Sequence, residues 1–148
     1  MAQTSNALSW ANCKIELGTN GIAWTDVSGF ANSVSVDGGE RGIGEFFTAD
    51  GDTPILTSGK RSSLEVTVKA VYTEGGSDPY ALAIAAYEAN SPLYVRWSPK
   101  GGVSTNFQFT TALGHVLKPV YPQGAADSPD AIAIEVAVKT ASIAKSVV

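Results

Sequence analysis

Three short segments contain residue types that bind phosphate, a dinucleotide or calcium in other proteins. The sequence "SGKR" at 58–61 resembles the end of a phosphate-binding loop, but that motif needs glycine at position 54 and Ser or Thr at position 61. This chain has Pro54 and Arg61 there. The glycines of "GGERGIGE" do not have the dinucleotide-binding spacing. The sequence "DGD" at 50–52 resembles the start of a calcium loop, yet Arg61 occupies the position of its closing glutamate.

Residues for nucleophilic catalysis are equally sparse. His115 is the single histidine and Cys13 the single cysteine, and no G-x-S-x-G sequence is present. Cys13 lies on the apolar phase of an alternating segment, where a thiol is typically a small core residue and not a reactive thiolate. We therefore expect no enzymatic activity, no metal site and no cofactor.

Charge and composition narrow the class of partner. The net charge is −4, which argues against sequence-specific nucleic-acid binding, because phosphate recognition needs a basic surface. Only 16% of residues are charged. The resulting small, weakly polar surface suits close protein packing but also occurs in secreted β-proteins. The N-terminus lacks a signal-peptide pattern and no apolar run reaches membrane-spanning length, so we expect folding in a cytoplasm and no membrane insertion.

Alternating apolar and polar residues predict several β-strands with one solvated face. The clearest are "SSLEVTVKAVYT" (62–73) and "AIAIEVAVKT" (131–140), and "FANSVSVD" (30–37) has a similar pattern. Their polar positions carry small or charge-balanced side chains. The members relevant below are Ser33, Ser35, Glu65, Thr67, Lys69 and Glu135.

One helix is predicted over 77–90, because Pro79 suits a first helical turn and Pro92 ends the pattern. The fold class is therefore mainly β: an antiparallel β-sandwich or flattened barrel with one α-helix and a long inter-strand loop. We expect a single domain over 1–148, with an N-terminal arm over 1–11.

The long inter-strand loop is predicted over 37–61. It is rich in glycine and acidic residues and contains the apolar pair Phe46 and Phe47. Such a segment is either a flexible surface loop with an incidental aromatic pair or a loop that becomes buried against a partner.

The order of these elements resembles the major tail tube proteins of long-tailed bacteriophages. The likeness is carried by "WTDVSGF", by "GKR" before a strand, by the helix after "SDPYALA" and by "VRWSPKGG", and it spans roughly residues 10 to 140. The sequence is similar in the same way to tube subunits of contractile injection and type VI secretion machines, which share the tail-tube fold.

The resemblance implies a structural virion protein. Hexameric rings of the subunit would stack into a hollow tail tube that passes DNA to the host without specific binding. It also implies assembly in the host bacterial cytoplasm and three partners: a tape measure protein, a tail terminator and tip proteins. The six polar residues named above would face the lumen.

The resemblance further implies that the 37–61 segment contacts the adjacent ring. Its candidate contact residues are Glu40, Arg41, Glu45, Phe46, Phe47, Asp50, Asp52, Ile55 and Leu56.

Two alternatives stay open. The chain could be the tube subunit of a secretion or injection machine that delivers proteins. It could instead be a surface carbohydrate- or receptor-binding β-sandwich, which would need an exposed aromatic platform, and Trp24 and Trp97 are the candidates for that platform.

Overall fold

The computed structural model describes residues 2–148; Met1, the first residue of the predicted arm, lies outside the described residues. The fold is mainly β, as predicted. Its elements are a 3-10 turn (Trp10–Asn12), β1 (Lys14–Gly18), β2 (Thr25–Asp26), β3 (Ala31–Gly38), β4 (Arg41–Phe46), β5 (Ile55–Arg61), β6 (Leu64–Val71), α1 (Pro79–Glu88), β7 (Tyr94–Ser98), β8 (Phe107–Thr111), β9 (Gly114–Val116), β10 (Ala133–Thr140) and β11 (Ile143–Val147).

The strands form two sheets and a separate ribbon, and neighbouring strands pair antiparallel throughout. A five-stranded sheet has the order β11-β8-β7-β1-β2, and a four-stranded sheet has the order β3-β6-β10-β9. The ribbon pairs β4 with β5 alone. The predicted antiparallel sandwich is thereby confirmed, with a two-stranded extension that the sequence reasoning did not anticipate.

The core lies between the two sheets and follows directly from the alternation. Ile15 and Leu17 of β1 are fully buried, as are Val66 and Val68 of β6 and Val136 of β10. Within β1 and within β6 the buried residues are separated by one residue, so one face of each of these strands supplies the core. The opposite face of the four-stranded sheet is left to solvent or to a partner.

Helix α1 packs against β9 and β10 and lies inside the predicted 77–90 range. Pro79, Ala83 and Ala86 are its buried residues, so small side chains bring the helix close to the sheet. Asp78 precedes the helix and accepts hydrogen bonds from the Thr73 hydroxyl and the Gly75 amide, which fixes the entry of the chain. Among residues 2–148, no helix has the length and apolar character needed to cross a membrane.

The segment 37–61 is not the loop that the sequence predicted. β4 and β5 pair with each other. They continue the β3–β6 pair lengthwise, past the end of the other strands of the four-stranded sheet. The prediction failed because glycine and acidic residues are depleted in ordinary strands. This ribbon has no buried face, so the usual apolar alternation is missing as well.

A glycine pair forms the joint between the sheet and the ribbon. Gly38 and Gly39 have φ angles of +88° and +77°, in the left-handed region that favours glycine. The Gly39 amide donates a hydrogen bond of 3.1 Å to the Ser63 carbonyl oxygen, so pairing continues across the joint. A Cβ on residue 39 would lie 2.7 Å from Leu64 Cδ2. The joint therefore requires glycine, and its backbone sets the direction of the ribbon.

Candidate assembly surfaces

The ribbon exposes apolar side chains on both of its faces. Phe46 and Ile55 stand directly opposite each other on one face, and they are 69% and 54% exposed. Ile43 and Leu56 lie on the other face, and both are exposed. A lone two-stranded ribbon is marginally stable in water. A ribbon that also exposes this much apolar surface is typical of an element that is completed by a partner.

The remaining predicted ribbon residues are exposed too, and they divide the ribbon by charge. Glu45, Asp50 and Asp52 lie at or near its tip, beside the exposed ring of Phe47. Within residues 2–148 the ion pairs involve Glu16 alone, so these acidic groups have no basic partner in their own chain. The tip is both apolar and acidic.

The base of the ribbon has the opposite charge. Arg41 stands opposite Arg61, and like charges in directly opposed positions destabilise a strand pair. The Arg41 guanidinium donates a hydrogen bond of 3.2 Å to the Gly59 carbonyl oxygen. Glu40 lies at the joint and is exposed, without an ion pair among the described residues. An acidic partner surface would relieve this repulsion.

The six residues predicted to face a lumen share one face of the four-stranded sheet. The register places them in three rows across the strands. These rows are Ser33–Lys69–Glu135, Ser35–Thr67–Ala137 and Asp37–Glu65–Lys139–His115. The sequence reasoning did not include Asp37, Lys139 and His115 among its site residues. The same alternation that identified the other members could have found them.

The charges on this polar face nearly cancel. Three acidic residues, Asp37, Glu65 and Glu135, face two lysines, Lys69 and Lys139, which leaves a formal charge of −1 with histidine neutral. Glu65 stands opposite Lys139, and Lys69 stands opposite Glu135. Opposite charges in these positions stabilise the sheet modestly. The face is hydrophilic but carries no basic stripe.

Among the described residues, the β3 edge of the four-stranded sheet is open, whereas the Gly114 carbonyl of β9 accepts a hydrogen bond of 2.9 Å from the Leu93 amide and α1 packs against β9. β3 is an eight-residue edge strand with exposed backbone and with Val36 exposed, and β9 is a three-residue edge strand. An edge presents unpaired N–H and C=O groups, which invite a strand from another chain. β3 contains no proline, but it carries a register shift between Ala31 and Ser33 and the charged Asp37, which limit strand addition at its two ends.

The aromatic platform required by a carbohydrate-binding module is not formed. Trp97 is 7% exposed and stacks on Phe109 in the core. The guanidinium carbon of Arg96 lies 4.4 Å from the centre of the Trp24 ring. Arg96 also makes a bidentate ion pair with the buried Glu16, with Nε–Oε1 and Nη2–Oε2 distances of 3.0 and 2.8 Å. These tryptophans stabilise the five-stranded sheet and its outer face, so they do not supply the exposed platform that the binding-module alternative requires.

Polar groups elsewhere support the fold. The Asp26 carboxylate accepts hydrogen bonds from the Ser28 hydroxyl at 2.6 Å and the Ser28 amide at 2.9 Å. The hydroxyl bond holds the pKa of Asp26 below its usual value of 3.8. Cys13 lies just before β1 of the five-stranded sheet, whereas His115 lies in β9 of the four-stranded sheet. Among residues 2–148, no three His, Cys, Asp or Glu side chains converge on a point where a metal ion could bind.

Solved structures, but no family models or curated sequences, match this chain. No protein-family model matches this sequence, and no curated protein sequence matches it. Solved structures do match. One is the sheath–tube complex of the extracellular contractile injection system PVC, with 15% identity, coverage of 97% of this chain and 94% of that chain, and a TM-score of 0.69. A second is the SPP1 tail tube, with 12% identity, coverage of 96% and 80%, and a TM-score of 0.70.

A third match is the virion of a gene transfer agent, with 10% identity, coverage of 96% of this chain and 99% of that chain, and a TM-score of 0.66. Phage tails, gene transfer agents and contractile injection systems thus contain chains that superpose on nearly all of this one. At such low identities the likeness concerns the backbone and not particular side chains. We conclude that this chain has the tail-tube fold.

Proposed function

We propose that this chain is a structural subunit of a hollow tube, in which closed rings of six copies stack end to end. The observation that carries the proposal is the four-stranded sheet, which combines a hydrophilic solvated face with the open edge strand β3 and the short edge strand β9. Edge-to-edge pairing of such sheets removes every exposed edge when the ring closes. The tail of an empty gene transfer agent particle, whose chain also has this fold, has C6 symmetry.

The dimensions of such a ring suit a channel. Six copies of the four-stranded sheet give a barrel of 24 strands. At a strand spacing of about 4.8 Å the barrel is roughly 37 Å across before strand tilt widens it. Barrels of this strand number leave an aqueous channel, since smaller porin barrels already do so.

The lining of that channel supports passive passage of DNA. The face that would line it has a formal charge of −1 per copy and no basic stripe. A lysine-rich lining would hold the genome by releasing counterions from the phosphates, whereas this one would not. We therefore infer a virion tail tube, assembled in the host cytoplasm, that meets a tape measure protein inside and a terminator and tip proteins at its ends.

A second candidate is the tube of a contractile injection system, which delivers proteins. A specific observation favours it. The PVC sheath–tube complex and the baseplate of the anti-feeding prophage match this chain with TM-scores of 0.69 and 0.70, and the SPP1 tail tube matches it with a similar score of 0.70. Both candidates share the ring, the lumen and the stacking. They differ in what passes through the channel.

The lumen assignment is tested by reversing charge on the polar face. Replacing Glu65 and Glu135 with lysine changes the formal charge of the face from −1 to +3 per copy. We expect tubes of unchanged width that retain duplex DNA when assembled in its presence, with retention falling steeply as salt rises. The measurement is co-sedimentation of DNA with tubes at graded salt.

The matched control makes the same net change away from the face, at the exposed Glu88 of α1 and the exposed Asp127. Tubes of the Glu88→Lys, Asp127→Lys variant should retain no more DNA than the unmodified protein. Equal retention by both variants would show that the polar face does not line the channel.

A further inference from the structure

The inner face of the five-stranded sheet is uncovered at one end. Thr111, Phe109 and Phe107 share one face of β8. Thr111 at the end of the strand is buried, Phe109 packs against the core, and Phe107 at the start of the strand is 54% exposed. The partner strand β11 shows the same gradient, because Ile143 packs against the core and Val147 is exposed. Core-type side chains here extend beyond the four-stranded sheet that should cover them.

This uncovered end contains a cavity of about 390 Å³. Its lining residues are Leu8, Pro99, Lys100, Asn106, Phe107 and Phe109. The walls are mainly apolar, and the rim is basic, since Lys100 lines the opening and Lys145 Nζ lies 4.9 Å from the centre of the Phe107 ring. We name this surface the receptor cavity. An apolar pocket with a lysine rim fits a ligand that presents aromatic rings beside carboxylates.

The ribbon tip of the same chain has this complementary chemistry. Phe46 and Phe47 are 69% and 61% exposed, and Glu45, Asp50 and Asp52 lie in or next to the same β4–β5 connection, without ion pairs among residues 2–148. The cavity is large enough for an aromatic side chain. The acidic and basic groups would then meet at the rim, where charge pairs guide association and fix register.

The tip and the receptor cavity lie at opposite ends of the fold. The ribbon leaves the four-stranded sheet at the row Gly38–Leu64–Thr140–Gly114, and the Thr140 hydroxyl donates a hydrogen bond of 3.1 Å to the Ala112 carbonyl oxygen. Ala112 directly follows the last residue of β8, whereas the cavity is built around the first residue, Phe107. β4 also carries the tip about 20 Å away from the sheet, at about 3.3 Å per residue. Two different surfaces at opposite ends produce open stacks and not closed dimers.

From this complementarity and placement, we propose that the receptor cavity binds the ribbon tip of a second copy of this chain in the adjacent ring. The Phe46–Phe47 pair fills the cavity, and Lys100 and Lys145 face the tip carboxylates. The inference rests on the proposed function, because it needs stacked rings. It goes beyond that function by naming the surface that receives the ribbon.

Cysteine cross-linking tests the contact in assembled tubes. In a Cys13→Ala background, Thr48→Cys marks the tip, next to the unchanged Phe46–Phe47 pair, and Asn106→Cys marks the cavity. Each chain then has one cysteine at the tip and one at the cavity, so a short bismaleimide should give a denaturing-gel ladder that continues well beyond six subunits. The matched control pairs Thr48→Cys with Ile22→Cys, an 85% exposed loop position, and should give no ladder.

The outcomes separate this inference from the proposed function. Tubes without cross-links, or a ladder that stops at one ring, would overturn the docking site and leave the tube function intact. Failure of the unmodified chain to form tubes under any condition would overturn both.

Charge exchange provides a second measurement if the cysteine variants do not assemble. Lys100→Glu with Lys145→Glu should slow tube elongation at least about tenfold, and so should Glu45→Lys with Asp50→Lys. Combining the four changes should bring the rate back to within about threefold of the unmodified chain. A combined variant as slow as either pair would refute the contact.

Discussion

Replacing Phe46 with alanine should separate the stability of the subunit from the stability of the assembly. A Phe side chain has about 200 Å² of surface to bury, so its exposed 69% amounts to about 140 Å². At about 25 cal/mol per Å², burying that surface between copies contributes roughly 3.5 kcal/mol. Since about 1.4 kcal/mol changes an equilibrium constant tenfold, Phe46→Ala should raise the critical concentration for tube assembly about 300-fold.

The free energy of unfolding of the unassembled subunit should change by less than about 0.5 kcal/mol, because the side chain is exposed there. Sedimentation at graded protein concentrations gives the critical concentration, and urea unfolding gives the subunit stability. Ile22→Ala is the matched control, because Ile22 is 85% exposed but lies outside the ribbon and the receptor cavity. An unchanged critical concentration for Phe46→Ala, or an equal rise for Ile22→Ala, would refute the role of the ribbon.

Three further predictions concern the fold that positions these surfaces. Arg96→Met should destabilise the subunit by up to about 3 kcal/mol in urea unfolding, because it removes the bidentate partner of the buried Glu16 and leaves only Lys14, whose Nζ lies 3.8 Å from that carboxylate. Adding Glu16→Leu should recover most of the loss, and no recovery would contradict the pairing. Gly39→Ala should preserve a folded subunit by circular dichroism but abolish tubes in electron microscopy, because the joint is left-handed; normal tubes would contradict this. The pKa of Asp26 is lowered in the folded subunit, so its contribution to stability is complete above about pH 4 and is lost as the pH falls through the folded pKa. Ser28→Ala should raise the pKa of Asp26 in an NMR titration. An unchanged pKa would exclude the Ser28 hydroxyl as the cause of the lowering.

The sandwich could be predicted because its strands have a simple periodicity. Val66, Val68 and Val136 alternate with polar residues, and the structure places each of them in the core. The same alternation brought Glu65, Lys69 and Glu135 to one face, where the register puts them in adjacent rows. A signal of period two carries both results, since it fixes the buried and the solvated face together.

The ribbon could not be predicted for a physical reason. Its two strands bury no side chain within the chain, so apolar residues such as Ile43 of β4 and Leu56 of β5 do not belong to an alternating pattern of buried and exposed positions. The burial of Trp97 could not be predicted for a related reason. Sequence shows that Trp97 lies in a strand, but which face of that strand is covered depends on how the second sheet packs. The receptor cavity depends on the same packing, which no local pattern reports.

Electron microscopy of the concentrated, gently warmed protein tests the central claim most directly. The account predicts hollow rods of uniform width, built from stacked rings of six subunits around a channel roughly 37 Å across at the strand backbones. Single globular particles at every concentration and temperature at which the chain stays folded would contradict it.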